Sequence, residues 1–160
     1  MSISDRLLKE LLQEAVQECY EKDMSLVKRG MEQASVARII YYMQTLINTD
    51  DRYERLREYI VDCEYYRNND DLKRTPRCQK GTKPDLLLHK REKNTGNLMV
   101  VEFKSRKNNG KKYQETNQYM DEIKLEDFTS SDCFNYQLGV WVKLKLSEPK
   151  YTFFKNGHQL

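Results

Sequence analysis

Apolar residues recur at three- and four-residue intervals from Leu7 through Leu8, Leu11, Leu12, Ala15 and Val16 to Cys19, with charged side chains between them. That period predicts an amphipathic helix reaching about Lys22, with Ser4 as its N-cap. A second helix is predicted from near Ser25 or Gly30 to Ile47, its apolar face carrying Val36, Ile39, Ile40, Met43 and Ile47. Glu32 falls on the edge of that same face. Residues 50–59 are charged and read as a short helix or loop. Residues 60–67 alternate imperfectly, as a first strand does, and Asn68, Asn69 and Asp70 end it. The polar, basic stretch 71–83 reads as a connecting loop, and a mobile one.

Leu86 to His89 is a second predicted strand, residues 90–97 a turn containing Asn94-Thr95-Gly96, and Leu98 to Lys104 a third strand. Their closeness implies an antiparallel hairpin. Residues 111–128 hold Tyr113, Met120, Ile123 and Leu125 among many charges, which predicts a largely exposed helix crossing to the next strand. From 136 to 146 the chain alternates cleanly, with Tyr136, Leu138, Val140, Val142, Leu144 and Leu146 on one side and Gln137, Gly139, Trp141, Lys143 and Lys145 on the other. Trp141 reads as packed under a helix rather than stacked on a base. A turn at 147–150 leads to a last edge strand at 151–154.

The order is helix, helix, three strands, helix, two strands, without repeats. It specifies an α/β or α+β domain with a central mixed β-sheet flanked by helices. The 160 residues and the lack of a Pro/Gly/Ser linker indicate one domain over 1–160, with an N-terminal helix at 1–24, a core at 25–146 and an edge strand and tail at 147–160.

A net charge of +3 permits an anionic partner without demanding one. Its distribution is more telling. Arg106, Lys107, Lys111 and Lys112 cluster around Asn108-Asn109-Gly110, either as a rim contacting phosphates or as a solvated loop. Cys19, Cys63, Cys78 and Cys133 show no C-x-x-C pair and read as reduced thiols, which points to the cytoplasm. No stretch has the apolar length of a membrane span, and residues 1–10 lack the layout of a secretion signal. No glycine loop of the phosphate-cradling kind is present either.

The candidate chemistry is concentrated at Pro84-Asp85 and Glu102-Phe103-Lys104. Alternation along a strand puts Glu102 and Lys104 on one face and Val101 and Phe103 on the other. With Asp85 beside Glu102 on a neighbouring strand, two carboxylates offer hard oxygen ligands to a divalent cation. Lys104 then offers charge to a phosphate or an attacking water. The competing reading is a solvated salt-bridge cluster at a sheet rim. Glu32 either completes this set, through a metal or a water, or only favours its helix N-terminus. His89 shares strand parity with Asp85 and is expected to hydrogen-bond on the sheet surface.

These residues resemble the restriction-endonuclease-like superfamily, the PD-(D/E)-x-K nucleases. The match lies in Glu32 on the helix before the sheet, Pro84-Asp85 opening the second strand, Glu102-Phe103-Lys104 closing the third, and the helix 111–125 at the crossover. Residues 62–67, 83–91, 121–129 and 136–142 look like a small bacterial branch of it. The resemblance implies cleavage of a phosphodiester, in DNA rather than RNA, with Mg²⁺ or Mn²⁺ held by Asp85, Glu102 and Glu32 and with Lys104 as the fourth catalytic residue. No separate recognition module is evident. The alternative is a catalytically silent nucleic-acid-binding or protein-interaction module on the same fold. Cutting both strands of a duplex favours a homodimer, for which the helix around Leu8, Leu11 and Leu12 is a candidate interface, although it can equally cover the chain's own sheet.

Overall fold

Leu86, Leu87 and Leu88 are all fully buried, which an extended segment achieves only when both faces of its sheet are covered. The computed structural model describes residues 2–68, 71–93, 95–105 and 111–160, except the side chains of 111–114. Helices α1 (Asp5–Lys22), α2 (Met24–Lys28) and α3 (Glu32–Thr49) come first, followed by a 3-10 turn at Asp51–Leu56. Strands β1 (Ile60–Asp62), β2 (Arg67–Asn68), β3 (Asp71–Leu72), β4 (Leu86–His89) and β5 (Met99–Ser105) precede α4 (Lys111–Thr129). Then come β6 (Leu138–Leu144), β7 (Lys150–Lys155) and β8 (His158–Gln159). Among the described residues the main sheet has six strands in the order β1-β4-β5-β6-β7-β8, while β2 and β3 pair separately. The fold is thus mixed α and β. β5 and β6 run parallel, joined by α4, and the other neighbours in the main sheet are antiparallel.

The two faces have separate cores. Leu86, Leu88, Val101, Phe103, Val140 and Val142 pack with α1 and α3, burying Leu8, Leu12, Ile39 and Met43. Leu87, Val100 and Trp141 face the other way, onto Leu125 and Phe128 of α4. Trp141 lies under a helix, as its strand pattern predicts. Gly139 is needed where α4 crosses β6, because a Cβ there would stand 3.0 Å from Thr129 Cγ2 and 3.1 Å from Phe154 Cβ.

Several elements depart from the sequence expectations. The second helix is two, since Gly30 at φ +65° breaks the chain between α2 and α3. The first strand stops at Asp62, because Glu64 adopts φ +47°, outside the extended region. The stretch 71–83 is not a loose connection. It contains β3, a bridge between Thr75 and Cys78, and Arg77, whose Nε donates to Asp127 Oδ1 at 2.7 Å on α4. α4 is not largely exposed: Asp121, Leu125, Asp127, Phe128 and Thr129 are buried. Tyr136 joins the α4-side core instead of the face of Leu138, Leu146 is exposed, and β8 rather than β7 forms the sheet edge. Leu8, Leu11 and Leu12 have no exposed surface, so they cover the chain's own sheet and cannot form a dimer interface. Among the described residues no helix is long and apolar enough to cross a membrane.

Candidate functional site

The antiparallel register of β4 on β5 pairs Leu86 with Val101, so one further residue sets Asp85 opposite Glu102. Directly opposed residues have Cβ atoms about 4.5–5.5 Å apart, and two like charges so placed destabilise each other. Asp85 Oδ2 accepts the Phe103 backbone N–H at 2.7 Å, which holds the carboxylate at the end of β5. Burial pushes the Asp85 carboxyl up to about 6, against the Phe103 N–H, and Glu32 and Asp121 add to the rise. Glu102 is only 4% exposed, and burial together with the facing Asp85 raises it well above the usual carboxylate range.

Two cations answer this negative charge. Lys104 leaves β5 on the same face as Glu102, and its Nζ lies 3.2 Å from Asp121 Oδ2. Lys124 Nζ lies 3.4 Å from both Glu102 Oε1 and Asp121 Oδ1. Burial works against the charge on Lys104, but Asp121 and Glu32 outweigh it and hold the amine above its ordinary value. Lys104 is therefore an ammonium at neutral pH, able to orient a water or stabilise a phosphate but not to remove a proton. Lys124 is raised in the same way, with Glu102 as the larger of its opposing charges.

Glu32 stands on the other side of the strand end. Its Oε2 accepts the Ser105 backbone N–H at 2.6 Å, while Ser105 Oγ donates to Gly30 O at 3.2 Å. The carboxylate thus finds its partner in the last peptide of β5 and ties the start of α3 to the site. Between α3 and the chain after β1 is a cavity of about 260 Å³ that reaches Asp85, with Glu32, Gln33 and Val36 on one wall and Cys63 and Glu64 on the other. It is an open approach to the carboxylates.

Asp121 and Lys124 escape the sequence reading. They share a helical stripe with Leu125 and Phe128, and that i, i+3, i+4, i+7 spacing marks the face that meets the sheet. Of the apolar positions Tyr113, Met120, Ile123 and Leu125, only Leu125 lies on that stripe, so their pattern does not mark it. His89 hydrogen-bonds as expected, its Nε2 lying 3.0 Å from Asp62 Oδ2, and it is buried away from the carboxylates described above. Arg106 and Lys107 lie outside the described residues, as do the side chains of Lys111 and Lys112.

Among the described residues no three His, Cys, Asp or Glu side chains form a ready-made metal cage. Mg²⁺ does not require one, since it is commonly bound by one or two carboxylates and keeps its remaining waters or takes up substrate phosphate. The donor set at the site fits such an ion. Asp85 and Glu102 offer hard oxygen donors whose carboxyls are pushed up first by burial and then by neighbouring negative charge. Asp121 Oδ2 is buried without an aligned hydrogen-bond donor among the described residues. Compared with models of protein families and with curated proteins, the chain matches none.

Proposed function

We propose that this protein hydrolyses phosphodiester bonds in nucleic acid, DNA before RNA, with the help of a divalent cation at Asp85 and Glu102. The observation that carries the reading is the juxtaposition of those two carboxylates across the β4–β5 pair, with two lysines on the same side. The resemblance of these same residues to the PD-(D/E)-x-K nucleases agrees with it, and four unpaired thiols suit a reducing compartment, the cytoplasm.

When bound, Mg²⁺ or Mn²⁺ supplies a nucleophile at neutral pH and a Lewis acid for the phosphoryl oxygens. Asp85 and Glu102 would hold it. Lys104, kept protonated by Asp121 and Glu32, positions the attacking water and stabilises charge on the scissile phosphate. Lys124, 3.4 Å from Glu102, partly offsets the burial and the Asp85 charge that push the Glu102 carboxyl up. Asp121 holds both lysines in place. Glu32 positions the end of β5 through Ser105.

The test is incubation of purified protein with plasmid, single-stranded DNA and RNA, with Mg²⁺ or Mn²⁺ and then with chelator. Cleavage that requires metal, and that falls at least about 100-fold in Asp85→Ala and Glu102→Gln, is expected for groups that act in the transition state. Absence of metal-dependent cleavage on every substrate at high enzyme concentration, or normal cleavage by Asp85→Ala, would overturn the proposal.

A further inference from the structure

A second cavity, of about 360 Å³, lies between the β2–β3 pair and the segment leading into Asp85. Its walls are Tyr66, Leu72, Lys80, Gly81, Thr82 and Lys83. The volume falls in the range of small-ligand pockets, roughly 300–1,000 Å³. The wall is built rather than casual. Lys73 N–H donates to Tyr66 O at 2.6 Å and Thr82 N–H donates to Lys73 O at 2.8 Å, so Lys73 ties the Tyr66 side to the 80–83 side. Lys73 is itself 4% exposed, with its ammonium 4.7 Å from the centre of the Phe134 ring, which fixes this tie to the body of the protein.

The lining has the chemistry of a nucleotide site. Tyr66 is 41% exposed, and Arg67 places a guanidinium 5.2 Å over its ring. Lys80 and Lys83 are exposed on the same cavity. Gly81 holds φ +101°, a conformation open to glycine, and thereby turns the chain between the two lysines. Thr82 is 5% exposed and its Oγ1 has no hydrogen-bond partner among the described residues, which a folded chain seldom tolerates at a buried hydroxyl.

We infer that this cavity is a subsite for one nucleotide of a single strand, with the base on Tyr66 and its phosphate between Lys80, Lys83 and the Thr82 hydroxyl. The inference rests on the proposed nucleic-acid substrate and specifies its form. Lys83 is two residues from Asp85, at most about 7 Å along an extended chain. A strand seated in the cavity is thereby led directly to the carboxylates. Stacking on an aromatic ring and lysine contacts to phosphate are both tolerant of sequence, so the subsite recognises an unpaired strand rather than a particular base order.

The experiment is fluorescence anisotropy of a short labelled oligodeoxythymidylate, titrated with the full chain in chelator so that no cleavage intervenes. Tyr66→Ala should weaken binding on the order of tenfold, the usual loss for one stacked base, and Tyr66→Phe should restore it. Lys80→Ala with Lys83→Ala should lower the slope of log affinity against log salt by about 1.4, the single-strand value for two phosphate contacts. Thr82→Val, which keeps the shape and removes the hydroxyl, should weaken binding a few-fold. Binding by Tyr66→Ala equal to that of the unaltered protein overturns the subsite, as does an unchanged salt slope in the double lysine variant. The two proposals fail separately. Tyr66-dependent binding without any metal-dependent cleavage leaves the subsite standing and removes the nuclease, whereas cleavage indifferent to Tyr66, Lys80 and Lys83 does the reverse.

Discussion

Asp85 and Glu102 are held as near neighbours in a buried place, and the consequences can be read at single groups. A proton and a cation compete for the same oxygens. Because the Asp85 carboxyl is pushed up to about 6, the affinity for Mg²⁺ should fall about tenfold or more per pH unit below that value and flatten above it. Calorimetric titration between pH 5 and 8 would measure this, and an affinity independent of pH would place the ion elsewhere. The lysines should separate in the same experiments on cleavage. Lys124→Gln removes the cation 3.4 Å from Glu102, so the acid limb of the pH–rate profile should move upward by on the order of one unit. Lys104→Gln should instead lower kcat at every pH, since its charge serves the phosphate. Identical effects from both substitutions would contradict this division. At the far end of β4, Asp62 accepts from His89 and from Arg91 Nε at 2.8 Å. Asp62→Ala leaves a buried imidazole unpartnered and should cost about 2–3 kcal/mol in denaturant unfolding, without changing cleavage chemistry.

At the scale of elements, the close crossing of α4 over β6 sets the position of Asp121 and Lys124. A methyl at Gly139 would meet Thr129 and Phe154 at about 3 Å, so Gly139→Ala should push the helix outward and cost about 1–3 kcal/mol. Thermal unfolding reads the cost, and a parallel loss of cleavage would show that the helix carries part of the site. Elements with a strict period were legible in the sequence: α1 from its leucines, the β4–β5 hairpin from its apolar runs around a glycine turn, and β6 from its alternation. Asp85, Glu102 and Lys104 could be placed because strand parity alone puts two of them on one face. Asp121 and Lys124 could not be singled out by charge, for α4 carries charges on several sides and only packing reveals which side meets the sheet. The break at Gly30 and the early end of β1 at Glu64 depend on single left-handed residues, which leave no periodic trace. The β2–β3 pair is too short to have one.

For the whole molecule, the site links stability to pH and, on the proposed function, would link it to metal. A carboxyl whose pKa in the folded state lies above its unfolded value favours folding while protonated. That contribution is complete below the unfolded pKa, near 4, and is lost as pH rises through the folded one, about 6 for Asp85. Glu102 is shifted in the same direction, by burial and by the facing Asp85, so its ionisation likewise weakens the fold. Glu102→Gln removes one of the opposed charges while keeping the shape of the side chain. In chelator at pH 8 the variant should therefore be more stable by about 1 kcal/mol, and melt roughly 2–4 °C higher, the difference narrowing toward pH 5 as Asp85, pushed up to about 6, becomes protonated and the opposition of charges is lost. Saturating Mg²⁺ should reverse the order. The unaltered protein gains about 2.7 kcal/mol at a metal concentration a hundred times its dissociation constant, whereas a chain lacking one of two ligands gains little. Differential scanning calorimetry with and without Mg²⁺ would show whether the melting curves cross. Equal stabilisation of both proteins by the metal would mean that Asp85 and Glu102 do not hold it, and that their charge serves the fold alone.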